Sequence, residues 1–277
     1  MNKSKLALSA IALVVSSASV YAFTESPNGT FQGSLDFNGV ITNTNPIWAY
    51  QIEPTSPARV KDLNAQLNEG QIQSDGSIVF DFSRVGTVPF VEGYMKGAAV
   101  QGGVGLSPVV TVLTSTGDIE VVGPNMAKEG IHNISLNIEE NGIRVPNASL
   151  EMKLSSGTSG AATYNGQYFW PESAVNYGVA QSAMSRAVNL VLGSEPFAAI
   201  YAGKQNSAAA SKVLNPADEG TWTIYDPSNV GYGLTRTEYR NVFGAFATTV
   251  SHIQLHASVN SVPDTWYATL PVNIVLQ

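Results

Sequence analysis

The stretch Phe31-Gln32-Gly33-Ser34-Leu35-Asp36-Phe37-Asn38-Gly39 carries an apolar residue or glycine at every odd position and a polar residue at every even one. That is the period of a β-strand with one buried face. It lies near the start of the chain. A terminal strand this regular has two possible uses. It can be an edge strand of its own sheet, or it can complete the sheet of another molecule.

The residues before it read as a targeting segment. Lys3 and Lys5 form a basic start, Leu6 to Val15 an apolar centre, and Val20-Tyr21-Ala22 a small-x-small cleavage site, so 1–22 is expected to be a signal peptide and the mature chain to begin near Phe23. The apolar centre is shorter than the roughly 20 residues that a membrane span requires. An exported protein is therefore expected. Removal of Lys3 and Lys5 takes the formal charge from −7 to −9. An acidic surface argues against nucleic acid and anionic lipid as partners, because both select clustered Lys and Arg. Charged residues make up only 13% of the chain, so much of the surface must be Ser, Thr, Asn, Gln and Gly. There is no cysteine, which excludes thiol chemistry and Cys-based zinc sites and leaves stability to the hydrophobic core.

Short alternating runs predict strands at Ile47–Ile52, Ser77–Phe82, Val109–Leu113, Ile119–Val122, Ile131–Ile138 and Ile143–Leu154, separated by turns at Ser74-Asp75-Gly76, Thr116-Gly117-Asp118 and Asn141-Gly142. The Asn-Gly between two alternating runs is a strong hairpin signal. A short helix is expected at Val60–Asn68. Strands at this spacing suggest a sandwich. The character changes over about 155–244, which opens with Ser155-Ser156-Gly157-Thr158-Ser159-Gly160 and carries a helical spacing from Val175 to Leu192, ending at Gly193. This part reads as a partly helical insertion. Strands return at Ala247–Val259 and Trp266–Leu276. In the last, Leu270, Val272, Ile274 and Leu276 share one apolar face, and Pro271, which cannot donate to a ladder, points to a sheet edge.

Catalytic patterns are absent. His252 and His256 alternate with Ile253, Leu255 and Ala257, so they sit on a strand roughly 13 Å apart rather than together on a helix. No His-Glu-x-x-His or Gly-x-Ser-x-Gly motif occurs, and Gly102-Gly103-Val104-Gly105 leads through Pro108 into a strand, not a phosphate-binding helix. Neither an enzyme nor a cofactor is expected. The insertion does gather aromatic residues, among them Tyr168, Trp170, Trp222 and Tyr225, beside Asn and Asp side chains. Such groups can bind a sugar's C–H faces and hydroxyls, and they can equally form the insertion's own core. A secreted monomeric lectin-like module is thus one reading of the chain. The other is a fibre subunit whose leading strand fills a groove on the next copy, an open-ended head-to-tail arrangement.

Several further features go together: Gly33 through Thr42, Trp48 in the first internal strand, then Pro89, Gly93, Lys96, Gly102-Gly103-Val104 and Pro108, and finally Trp266, Ala268 and the closing strand to Gln277. In order and spacing they resemble the enterobacterial fimbrial subunits of the F-four (K-eighty-eight) type. The resemblance implies an all-β, incomplete immunoglobulin-like sandwich that lacks its final strand and is completed by a donor strand. It implies a donor extension at 23–42 carried by Phe31, Gly33, Leu35 and Phe37, and a subunit domain at 43–277 whose acceptor groove is flanked by Leu270, Val272, Ile274 and Leu276. The implied partners are identical or related fimbrial subunits, a periplasmic chaperone, an outer-membrane usher and host glycans. The implied destination is a fimbrium on the cell surface.

Overall fold

A computed structural model describes residues 46–123, 130–170, 181–207 and 230–277. The elements in chain order begin with β1 (Trp48–Ile52), α1 (Ser56–Val60), β2 (Gln71–Ile72), β3 (Ser77–Asp81), β4 (Val88–Met95), β5 (Ala99–Gln101), β6 (Pro108–Thr114) and β7 (Gly117–Val122). They continue with β8 (Gly130–Glu140), β9 (Ile143–Tyr164), β10 (Gln167–Phe169), α2 (Gln181–Leu192), α3 (Glu195–Tyr201), α4 (Val230–Thr235), β11 (Arg240–Ser258) and β12 (Val272–Leu276). The fold is mostly β, in two open sheets.

Strand β11 is the spine of the larger sheet. One of its edges pairs with β9 from Arg240 to His256, while the other is shared end to end by β5, β4 and β3. The sheet then spreads from β4 to β1, from β3 to β2, and from β9 to β8 and β10. The smaller sheet runs β12-β6-β7. Every strand pair is antiparallel, so each strand alternates a core face with an outer face. Phe82, Phe246, Met95, Ile138, Val110 and Val112 are all but fully buried between the sheets. The Trp48 indole N–H donates to the Leu106 carbonyl at 3.0 Å, which removes the polar cost of burying the ring.

The Asn141-Gly142 turn joins β8 to β9 with both residues at positive φ, 52° and 78°, as a two-residue hairpin requires. The short helix falls earlier than its expected span, at Ser56–Val60, because Pro57 occupies the first turn and presets the backbone there. Only a single 3-10 turn, Leu67–Glu69, marks the end of the expected range. The closing strand is shorter than its alternation suggests. Tyr267 exchanges main-chain bonds with Glu139 of β8, and only Val272–Leu276 pairs with β6, so this segment crosses from one strand to another. His252 and His256 lie on β11, with a bulge between Ser251 and Gln254 that puts His252 at a φ of 52°.

The stretch read as an insertion begins and ends in strand. Residues 155–164 continue β9 and lie against β11 through Gly157↔Ala247 and Gly160↔Gly244. The helices α2, α3 and α4 fall inside it. Helix α2 covers the outer face of the larger sheet, where Ala161, Val191, Phe197, Tyr201, Phe243 and Ala245 form a second apolar cluster. Gly193 ends α2 by donating to the Asn189 carbonyl.

Candidate functional site

Over the inner face of the larger sheet lies a groove of about 1310 Å³. Its floor is the inner face of the larger sheet, including Phe80, Phe82, Leu136, Met152 and Ile253. One wall is the segment from Pro54 to Leu67, which contains α1; the other is Val262 to Leu270. Among the lining side chains only Lys61 and Asp264 are of charged residue types. A long apolar cleft with two such residues selects an apolar occupant, since a charged one would lose its hydration without compensation.

Strand β12 follows the second wall in sequence. Gln277 and Ser107 exchange both main-chain hydrogen bonds, and the Leu113 N–H donates to the Pro271 carbonyl at 3.1 Å. In an antiparallel ladder the bonded residues alternate, so 271, 273, 275 and 277 turn their main chain toward β6. Val272, Ile274 and Leu276 therefore turn theirs outward, and among the described residues that edge has no strand partner. The N–H that Pro271 lacks faces β6. The proline thus costs the paired ladder a bond and leaves the outward edge whole, the reverse of what its presence in the strand suggests.

Of the side chains singled out in the sequence, Leu270 lines the groove, Val272 and Ile274 pack half-buried against the core, and Leu276 is exposed. Phe31, Gly33, Leu35 and Phe37 lie outside the described residues, as do Trp222 and Tyr225. Tyr168 and Trp170 come together: both meet Tyr201 edge-on, at 5.7 and 5.5 Å between ring centroids. Asn206 brackets the Trp170 main chain, donating to its carbonyl and accepting from its N–H. The Lys204 ammonium sits 5.3 Å from the Tyr168 ring centroid and covers part of one face. Burial pushes the Tyr201 hydroxyl pKa up, and the hydroxyl donates to the Asn241 carbonyl.

The wall at 54–67 was not legible as a functional element, and its polar scaffold explains why. The Glu53 carboxylate accepts from the Thr55 N–H and from the Thr55 and Ser56 hydroxyls. These bonds, the Thr55 hydroxyl first, hold the Glu53 pKa below the ordinary value. The Ser56 hydroxyl also lies 2.5 Å from the Pro89 carbonyl, so its one proton is shared between that oxygen and the Glu53 carboxylate. Behind this wall, Glu92 is buried and accepts from Gln51 and from Arg186 of α2, at 2.6 and 2.7 Å.

Comparison with known protein families fits this arrangement. The family model described as fimbrial, major and minor subunit, of the K-eighty-eight type, matches residues 1–277, the whole chain. The chain belongs to that family and is a structural subunit of a surface pilus. No curated protein matches it.

Proposed function

We propose that the chain polymerises by donor-strand exchange: the leading strand of one copy fills the groove of the next. The observation that carries this is the apolar groove whose second wall runs on in sequence into the unpaired strand edge Val272–Leu276; residues 31–39 of the sequence alternate apolar and polar side chains. On this reading the body is an incomplete immunoglobulin-like sandwich spanning 43–277, and 23–42 is the donor extension. Burial of Phe31, Leu35 and Phe37 contributes roughly 1.5–3 kcal/mol each, about 5–9 in all. That is comparable to the stability of a whole domain. A subunit with its groove unfilled is aggregation-prone, which supports transit through the periplasm on a chaperone and ordered delivery by an outer-membrane usher.

The test is to express the mature chain without a chaperone, alone and with residues 31–41 fused after Gln277. The fused form is expected to be a soluble monomer and the unfused form to aggregate or polymerise. Equal solubility of both as monomers would sink the reading. In cells, electron microscopy should show fibres for wild type and none for Leu35→Asp.

Adhesion to host glycans is a second part of the proposal, supported by two half-buried aromatic rings, Tyr168 and Trp170, held beside Asn206. Trp222 and Tyr225 are assigned to the same role from the sequence. Replacing Tyr168 and Trp170 by Ala should lower binding of the fibres to glycan arrays without changing fibre number; unchanged binding removes these two rings from the assignment.

A further inference from the structure

The groove wall at 54–67 has little main-chain support. Glu53 donates to the Phe90 carbonyl and Ser56 to the Glu53 carbonyl, but among the described residues no main-chain hydrogen bond joins 57–66 to a strand. Burial of Leu63 gives this stretch one apolar anchor. Ser56 is tied to the Pro89 carbonyl, and beyond it two arginines that reach in opposite directions attach 57–66 through their side chains. Arg59, at the end of α1, donates through Nη1 to the Thr87 carbonyl at 2.9 Å and through Nη2 to the Val85 carbonyl at 2.6 Å. Arg84, in the 3-10 turn Ser83–Val85, donates back to the Asn64 carbonyl. The Arg84 guanidinium also lies 5.6 Å from the centroid of the Phe82 ring, whose carbons line the groove floor.

The chemistry of this pair suits a clamp. A guanidinium has five donors in a fixed plane and can span two carbonyls, which a lysine ammonium on a flexible stem cannot do with the same geometry. The carbonyls of Val85 and Thr87 flank Gly86, at a φ of 68°, just past the end of a 3-10 turn, where outward-pointing oxygens need donors. Arg59 lies between Ala58 and Val60, both of which line the groove. Its attachment therefore sets where the lining side chains stand.

We propose that Arg59 and Arg84 are reciprocal positioning residues that set the opening of the groove, and with it how firmly and how fast an apolar strand is taken up. This rests on the reading of the groove as a strand acceptor. A wall held mainly by solvent-facing side-chain bonds can yield to an entering strand and close again without breaking the sheet. A wall laced by main-chain ladders could not.

The test uses the mature chain purified in complex with a periplasmic chaperone, which keeps it from polymerising, and a fluorescent synthetic peptide of residues 31–41 that displaces the chaperone. Association and dissociation are followed by anisotropy, and amide hydrogen exchange is measured over 56–66. For Arg59→Ala the loss of two charge-assisted bonds is expected to speed peptide release on the order of tenfold and to raise exchange across the wall. Arg59→Lys should fall between it and wild type. Arg59→Ala with Arg84→Ala should exceed either single change by less than the product of the two, because both free the same segment. Arg144→Ala, on the β8–β9 hairpin, should match wild type. If Arg59→Ala does not fold, Arg59→Lys and Arg84→Lys carry the test. Wild-type uptake with unaltered rates and exchange in the arginine variants overturns the clamp and leaves the acceptor reading intact. Failure of wild type to take up the peptide overturns both.

Discussion

Ser107 and Gln277 exchange both of their main-chain hydrogen bonds, at 2.9 and 3.2 Å, and this one pair sets which residues of β12 face outward. Proline scanning should read the parity directly. Val275→Pro removes a donor to β6 and should destabilise the subunit by about 1–3 kcal/mol in urea melts. Ile274→Pro removes an outward donor and should cost the isolated subunit less, yet cut fibre formation more. Equal effects of the two prolines on both measurements would show that the outward edge is not used.

Gly157 of β9 meets helix α2 main chain to main chain. A Cβ placed there would lie 2.4 Å from the Met184 nitrogen and 2.6 Å from its Cα. Backbone on both sides leaves no flexible side chain to move away. Gly157→Ala is therefore expected to destabilise by about 1–3 kcal/mol, the range for overpacking, and Gly157→Val by more. Thermal unfolding of the two variants, with the surface change Ser149→Ala as reference, checks the order.

That contact also explains the part of the fold hardest to read from the sequence. Ser155 to Gly160 reads as the opening of an insertion because Gly and Ser clusters normally interrupt strands. Here the small residues permit close approach of a helix, and the strand runs through them into Tyr164. Alternation elsewhere was legible because one face of a strand is buried: the β8–β9 hairpin follows directly, whereas in the closing segment Leu270, Val272 and Ile274 are only half-buried and Leu276 is exposed. Of the four residues expected to flank a groove, only Leu270 lines this one. The opposite wall depends on bonds between Arg59, Arg84 and main-chain carbonyls 20 to 28 residues away, and carbonyl acceptors leave no trace in residue identity. Pro271 marked an edge strand, but which edge it interrupts depends on pairing parity, a property of the partner strand.

Arg186 of α2 binds Glu92 through both Nε and Nη2, at 3.0 and 2.7 Å, and the carboxylate is nearly inaccessible. Arg186→Met should leave that carboxylate buried with Gln51 as its remaining donor. The expected loss is about 2–4 kcal/mol, somewhat below the usual cost of breaking a buried pair because Arg186 itself is a third exposed. Glu92→Gln combined with Arg186→Met should recover part of that loss. A double-mutant cycle from urea melts measures the coupling, and strict additivity would deny that α2 is fastened to the sheet by this pair.

The groove wall should respond to acid through Glu53. Its pKa is held below the ordinary 4.5 by hydrogen bonds from Thr55 and Ser56, with the Arg186 charge a lesser cause. Because the folded value is the lower one, the stabilisation is fully present above the unfolded pKa and is lost as pH falls through the folded pKa. Asp75 and Asp81 are lowered in the same way, chiefly by the hydroxyls of Ser77 and Ser83, so overall stability should also decline in that window. Glu53→Gln separates the contributions. It should flatten the acid dependence of hydrogen exchange at 55–60 while leaving that of the β3 turns unchanged. Glu53→Gln with the wild-type acid profile at 55–60 would show that the carboxylate does not anchor this wall.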